Sequence, residues 1–228
     1  MARLHSPLRL ALSRSSTVDF SGAVLTGGAS RRMGTDKAFV PVGPDAQPMV
    51  AVPASALVEA GAREVLAIGG DLDRLTALGL DARPDDHPGE GPLGGVLTAL
   101  RLAAHDRVVV LACDLPAVDA TTVGRVLDAL AAAPAAPAAV APVAAVAVDP
   151  SDGRRHPLLA AYRRAAAEPL AAAFAAGERG LLRALAAVAV VEVELPDPAA
   201  ARNANRPEDL RPDPVPDAAT NRSGRGPR

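Results

Sequence analysis

The run Val108-Val109-Val110-Leu111-Ala112-Cys113 constrains the fold more than any other segment of this 228-residue chain. Side chains alternate across a strand with a period of two, and this run is apolar on both sides of that period. A strand built from it must be covered on both faces, as in parallel sheets sandwiched between helices. The rest of the chain supplies matching pieces. Residues 23–26, 64–68, 80–83, 138–148, 157–162 and 188–195 read as further strands. Between them, residues 50–60, 71–78, 92–104, 119–133, 164–176 and 181–187 have helical spacing. Asp71 suits a helix N-cap, Gly79 a helix end, and Pro92 a first helical turn. Pro53 fits only near a helix start. Strands alternating with helices of this length predict an α/β fold in three layers: a mostly parallel twisted sheet with helices on both faces. Ligands of such sheets collect beyond the carboxyl ends of the strands.

Composition narrows the function. Aromatics are 2% of residues, so the core is built from Ala, Val and Leu, and stacking of nucleic-acid bases on rings is not expected. A net charge of -2 gives no broad basic footprint for DNA or RNA. No apolar run approaches the roughly 18 residues of a membrane span. Cys113 is the single cysteine, which excludes an internal disulfide and any Cys-rich metal site, and fits a reducing, cytoplasmic setting. Residues 1–20 read as a poorly ordered extension. Residues 211–228 carry little to bury and are expected to be disordered. The functional domain is therefore expected over 21–210.

The chemistry concentrates in Leu25-Thr26-Gly27-Gly28-Ala29-Ser30-Arg31-Arg32-Met33-Gly34-Thr35-Asp36-Lys37, directly after the first strand. Glycines allow backbone N–H groups to approach phosphate oxygens, and the cations offset their charge. Taken alone, the segment also reads, with less weight, as a glycine-rich turn with a solvated basic face. It is not a Walker A loop, because Lys37 is not preceded by Gly and is followed by Ala38. It is not a dinucleotide-binding GxGxxG either. Two carboxylates, Asp85 and Asp114, fall at other strand ends.

The pattern LTGGASRRMGTDKA resembles the signature loop of the molybdenum cofactor guanylyltransferases, a family of nucleotidyltransferases. Three later segments agree in order. Asp85 followed by Gly91-Pro92-Leu93-Gly94-Gly95 is similar to the family's aspartate and GPLAG. Cys113-Asp114-Leu115-Pro116 is similar to its CDxP metal motif. Asn203-Ala204-Asn205-Arg206-Pro207-Glu208-Asp209-Leu210 is similar to its late NxNxPEDL motif. The resemblance spans residues 21–210.

It implies transfer of GMP from GTP to the terminal phosphate of molybdopterin, with release of pyrophosphate. It implies Mg²⁺ as cofactor, held by Asp114, and proteins of cofactor delivery as partners. Leu25, Thr26, Gly27, Gly28, Lys37, Asp85 and Asp114 would bind the nucleotide. The backbone N–H groups around Thr26, Gly27 and Gly28 would hold the triphosphate. Arg32, Lys37 and Asp114 would be catalytic, because phosphoryl-type transfer relies on positioning and charge neutralisation. His156, Asn203 and Asn205 would face the acceptor. As residues, Asp85 also reads as a turn former, Asp114 as a helix cap, Asn203 and Asn205 as an Asx turn, and Arg155-His156 as a charged turn before a strand. Relatives commonly carry an asparagine after the second strand. Here Gly69-Gly70-Asp71 stands in its place, so base selection is expected from backbone groups or Asp71. Sibling activities remain open: cytidylyl transfer, another acceptor phosphate, or a nucleotide-binding module without catalysis.

Overall fold

A computed structural model describes residues 19–27, 36–133 and 141–210, and every structural statement below concerns these. The elements run β1 (Phe20–Leu25), β2 (Pro41–Val42), β3 (Gln47–Pro48), α1 (Ala51–Glu59), β4 (Glu64–Ile68), α2 (Leu72–Ala77), β5 (Asp81–Arg83), α3 (Pro92–Leu102), β6 (Arg107–Ala112), α4 (Ala120–Ala132), β7 (Ala144–Val148), β8 (Arg155–Arg163), α5 (Ala167–Ala175), α6 (Leu181–Leu185) and β9 (Val190–Glu194). Short 3-10 turns follow at Lys37–Phe39, Arg164–Ala166, Pro198–Ala201 and Pro207–Leu210.

Seven strands form one sheet in the order β5-β4-β1-β6-β8-β7-β9. The pairs of β1 with β4 and β6, of β4 with β5, and of β7 with β9 are parallel. Only β8 runs against its neighbours β6 and β7. The all-apolar β6 behaves as its sequence demands. Val109 and Leu111 enter one core with α1, α2 and α4, while Val108 and Val110 enter the other with α3, α5 and α6. The two cores are the two faces of the sheet, which confirms the three-layer α/β expectation.

Local chemistry sets the helix starts. The Asp71 carboxylate accepts from the Arg74 N–H at 3.1 Å and caps α2. Asp119 caps α4 by accepting from the Thr122 N–H at 2.8 Å. Gly91, at φ 85°, opens α3 in a left-handed conformation that favours glycine, and Pro92 follows inside the first turn. Gly95 lets α3 settle on β1, since a Cβ there would stand 3.0 Å from Leu25 Cδ1.

Several details differ from the expectations. The β2–β3 hairpin was not expected, because strands of two residues leave no periodic signal. The strand expected over 138–148 is shorter, at Ala144–Val148; residues 134–140 lie outside the described set. The expected helix at 164–176 begins with a 3-10 turn and becomes regular only at Ala167. In β8 the register against β7 jumps from Val146↔Ala160 to Ala147↔His156, so Pro157, Leu158 and Leu159 bulge from the β7 ladder. Proline lacks the N–H a ladder needs, which suits a bulge. The buried Tyr162 hydroxyl donates to Pro157 O at 2.6 Å and pins this bulge at the rim of the site. Phe20 is fully buried at the start of β1, one residue ahead of the expected domain edge; residues 1–18 and 211–228 lie outside the described set. No described helix is long and apolar enough to cross a membrane.

Candidate active site

The carboxyl ends of β4, β1 and β6 lie side by side and open into a cavity of about 660 Å³. Leu25, Thr26 and Gly27 enter it from β1, Gly69 and Gly70 from β4, and Cys113 and Asp114 from β6. Asp85 and Lys37 arrive from the segments after β5 and before β2, and Asn203 from the far end of the chain. The expected nucleotide residues Leu25, Thr26, Gly27, Lys37, Asp85 and Asp114 therefore share one cavity. Gly28 and Arg32 lie outside the described residues. Asn205 and His156 line a second recess of about 670 Å³, and Asn203 lines both.

One hydrogen-bonded group joins the two recesses. Lys37 Nζ donates to Asp114 Oδ2 at 3.1 Å and to Asn205 Oδ1 at 2.6 Å. Asn203 Nδ2 donates to Asp114 Oδ1 at 2.5 Å, and the Ala204 N–H donates to Asp114 O at 2.9 Å. The side chains of Lys37 and Asp114 are 19% and 14% exposed, so their attraction is less screened by solvent than that of a surface pair. Asp36 caps the 3-10 turn that presents Lys37, accepting from the Ala38 N–H at 3.1 Å, and it lines the cavity as well. Asp36 stands inside the signature loop, where its sequence position alone assigns it no role.

The amides beside the loop are engaged differently from the expectation. The Thr26 and Gly27 N–H groups both donate to Ile68 O, at 3.0 and 3.3 Å. In this state neither is free to bind phosphate. These bonds complete the lateral closure of β1 on β4. Asp85 is held by two donors to its Oδ1: the Thr98 hydroxyl at 2.7 Å and the His87 N–H at 3.0 Å. Thr98, buried in α3, was missed in the sequence; a threonine on an otherwise apolar helix face was the available signal. Asp86 points elsewhere, forming a two-pronged ion pair with Arg101 at 2.5 and 2.9 Å. Asp71 is occupied as the cap of α2, which leaves the backbone of Gly69 and Gly70 as the cavity wall where relatives are expected to show an asparagine.

Electrostatics separate the groups that can do chemistry from those that cannot. Burial, reinforced by the neighbouring Asp114 charge, pushes the Cys113 thiol up to about 12, so it is not a nucleophile at neutral pH. Burial and the nearby Arg154 charge hold His156 below its ordinary value, so its ring is neutral at pH 7. No cluster of three or more His, Cys, Asp or Glu side chains suited to a metal occurs among the described residues. A hard cation that takes one or two carboxylates and draws its other ligands from water and phosphate still fits Asp114, with Asp36 lining the same cavity.

Known proteins are similar to this chain over most of its length. A protein of Chloroflexus aggregans named a probable molybdenum cofactor guanylyltransferase is 35% identical over 198 residues, covering 84% of this chain and 91% of its own. A molybdenum cofactor guanylyltransferase of Cereibacter sphaeroides is 36% identical over 193 residues, covering 83% and 92%. Among solved structures, the molybdopterin-guanine dinucleotide biosynthesis protein A of Archaeoglobus fulgidus superposes with a TM-score of 0.63 at 23% identity, covering 83% of this chain and 94% of its own. The 2-C-methyl-D-erythritol 4-phosphate cytidylyltransferase of Thermus thermophilus shares the fold at TM-score 0.58 and 22% identity, covering 85% and 96%. The family model for the MobA-like NTP transferase domain matches residues 22–192, from β1 into β9, and the chain belongs to that family.

Proposed function

We propose that this protein is a molybdenum cofactor guanylyltransferase, which transfers GMP from GTP to the terminal phosphate of molybdopterin and releases pyrophosphate. The carrying observation is the Lys37–Asp114–Asn203–Asn205 group, which places one cation and one carboxylate between two recesses of nucleotide size. Relatives over 30% identical that bear this activity in their names support the choice of substrates.

The reaction needs no protein nucleophile. An oxygen of the acceptor phosphate attacks the α-phosphorus of GTP, the bond from that phosphorus to the bridging oxygen breaks, and pyrophosphate leaves with the electron pair. In the β1–β4–β6 cavity, Lys37 offsets charge on the phosphates; Arg32 is assigned the same task. Asp114, helped by Asp36, would hold Mg²⁺, which when bound neutralises charge on phosphate oxygens. Asn203 fixes the Asp114 carboxylate, and Asn205 fixes Lys37, so that both charges are set before reaction. The neutral His156 ring and the two asparagines border the second recess, assigned to the pterin phosphate. The single cysteine, Cys113, suits a cytoplasmic setting.

The test is direct. Full-length protein incubated with GTP, Mg²⁺ and molybdenum cofactor yields a GMP-linked pterin and one pyrophosphate per turnover, and Asp114→Asn keeps the fold while losing turnover. Folded protein that binds GTP yet forms no product refutes the assignment.

A further inference from the structure

We infer that Thr26 is a specificity-determining positioning residue: its hydroxyl locks the Gly69–Gly70 turn so that the Gly70 main chain reads an acceptor atom on the nucleobase. The inference rests on the guanylyl-transfer reading, because it needs a nucleotide in the β1–β4–β6 cavity.

The lock is visible atom by atom. Thr26 is 3% exposed, and its Oγ1 lies 3.0 Å from Ile68 O and 2.8 Å from Gly69 O. A hydroxyl has one proton to donate, so the two carbonyls share it, with Gly69 O the nearer. The Gly69 N–H donates to Arg83 O at 2.8 Å. Both polar groups of Gly69 are thus engaged, and the residue ties the ends of β1, β4 and β5 together. Gly69 and Gly70 both have positive φ, 79° and 69°, where an L side chain is strained.

Space for a side chain is tight at both positions. A Cβ on Gly70 would stand 3.0 Å from Thr26 Oγ1, and one on Gly69 would stand 3.3 Å from both Gly27 N and Gly27 Cα. The turn therefore presents only peptide groups to the cavity. Gly70 is exposed, lines the cavity, and its N–H has no acceptor among the described residues. Among the described residues it is a donor without a partner, one residue beyond a rigid anchor.

Position identifies its ligand. In the sheet order, β1 lies between β4 and β6, so Gly70 is two strand spacings, about 10 Å, from the Asp114 end of the cavity. With the phosphates at Lys37 and Asp114, that offset matches the reach from an α-phosphate to the far edge of a base. A fixed N–H donor selects a base carrying a carbonyl oxygen there, such as O6 of guanine. It rejects adenine, whose amino group at that position is itself a donor, leaving both groups unpaired.

The experiment measures binding of GTP, ATP and inorganic pyrophosphate to the full chain by calorimetry, with Mg²⁺ present. Thr26→Val removes the proton at nearly constant shape. It is expected to weaken GTP by about tenfold, the value of one well-placed hydrogen bond, while ATP and pyrophosphate change by less than about threefold. Thr26→Ser restores the hydroxyl and the GTP preference. Gly70→Ala, a second route to the same wall, also lowers the GTP-to-ATP ratio. A Thr26→Val protein with the wild-type ratio overturns the inference, as does one that loses GTP, ATP and pyrophosphate equally, because that is a purely structural effect. Wild-type protein that binds pyrophosphate but no nucleotide refutes the guanylyl-transfer reading itself.

Discussion

Two glycine-to-alanine substitutions separate helix propensity from packing in this fold. Alanine is better than glycine in a helix interior by roughly 0.5–1 kcal/mol. At Gly124, inside α4, a new Cβ meets nothing within 4 Å, so Gly124→Ala should gain that full amount. For a chain of this size the gain raises the melting temperature by about 1–4 °C. Gly94, in the first turn of α3, is the opposite case. A Cβ there would stand 2.7 Å from His87 Cβ and 3.3 Å from His87 O. His87 has no easy retreat. Its ring packs on Phe174 at 4.6 Å, and Phe174 is covered by the Arg179 guanidinium at 3.9 Å. Arg179 also pairs with Glu90 at 2.5 Å, closing the loop back on itself. Overpacking of this kind costs about 1–3 kcal/mol, which outweighs the propensity gain. Gly94→Ala should therefore lose about 1–2 kcal/mol and melt roughly 2–8 °C lower. Because the His87 N–H holds Asp85, the displaced loop should also weaken GTP binding several-fold, whereas Gly124→Ala leaves it unchanged. Thermal unfolding and GTP calorimetry on both variants test this. A Gly94→Ala protein as stable as wild type, with wild-type GTP affinity, refutes the reasoning.

Three further outcomes are expected. Lys37→Met should lower the single-turnover rate by on the order of a hundredfold or more, and Lys37→Arg should restore only part, since a planar guanidinium does not reproduce the contacts of Nζ with Asp114 and Asn205. Cys113 should resist iodoacetamide at pH 8 in the native protein and react at once after denaturation, because burial holds its thiol near 12; rapid native labelling contradicts this. Burial disfavours protonated His156 in the folded state, so its pKa is lower folded than unfolded. The unfolded chain then takes up the proton first as pH falls through about 6.5, and stability present above that pH is lost below it. His156→Gln should flatten the loss of denaturation midpoint between pH 7 and 5.5, and an unchanged slope excludes His156 as its source.

Legibility in the sequence followed how local each signal was. β6 was readable because burial on both faces leaves an uninterrupted apolar run, and α2 and α4 because Asp71 and Asp119 cap them from one residue outside. The reversed direction of β8 was not readable, since strand polarity depends on the connection. Here the connection from β7 is a tight turn, with Gly153 at φ 70° and the Gly153 N–H on Asp149 O at 2.8 Å. A two-residue hairpin such as β2–β3 carries no period at all.

The site divides along the same line. Lys37 and Asp114 stand out as charges beside apolar strands, and ordered motifs drew attention to Asn203 and Asn205. Their union is a property of the fold, because Lys37 and Asn205 touch across 168 residues of chain. The cavity wall at β4 was legible only as a gap, two glycines where relatives are expected to show an asparagine. Its meaning depends on Thr26 Oγ1 lying within 3.0 Å of where a Gly70 Cβ would stand. Thr26 and Gly70 are a matched pair: the hydroxyl holds the turn in place, and the missing Cβ leaves room for the hydroxyl. A side chain at position 70 crowds the Thr26 hydroxyl, so Gly70→Ala should be better tolerated in a Thr26→Ala background than alone. A double-mutant cycle on melting temperature measures this coupling, and strict additivity of the two changes would show that the turn is not held by this contact.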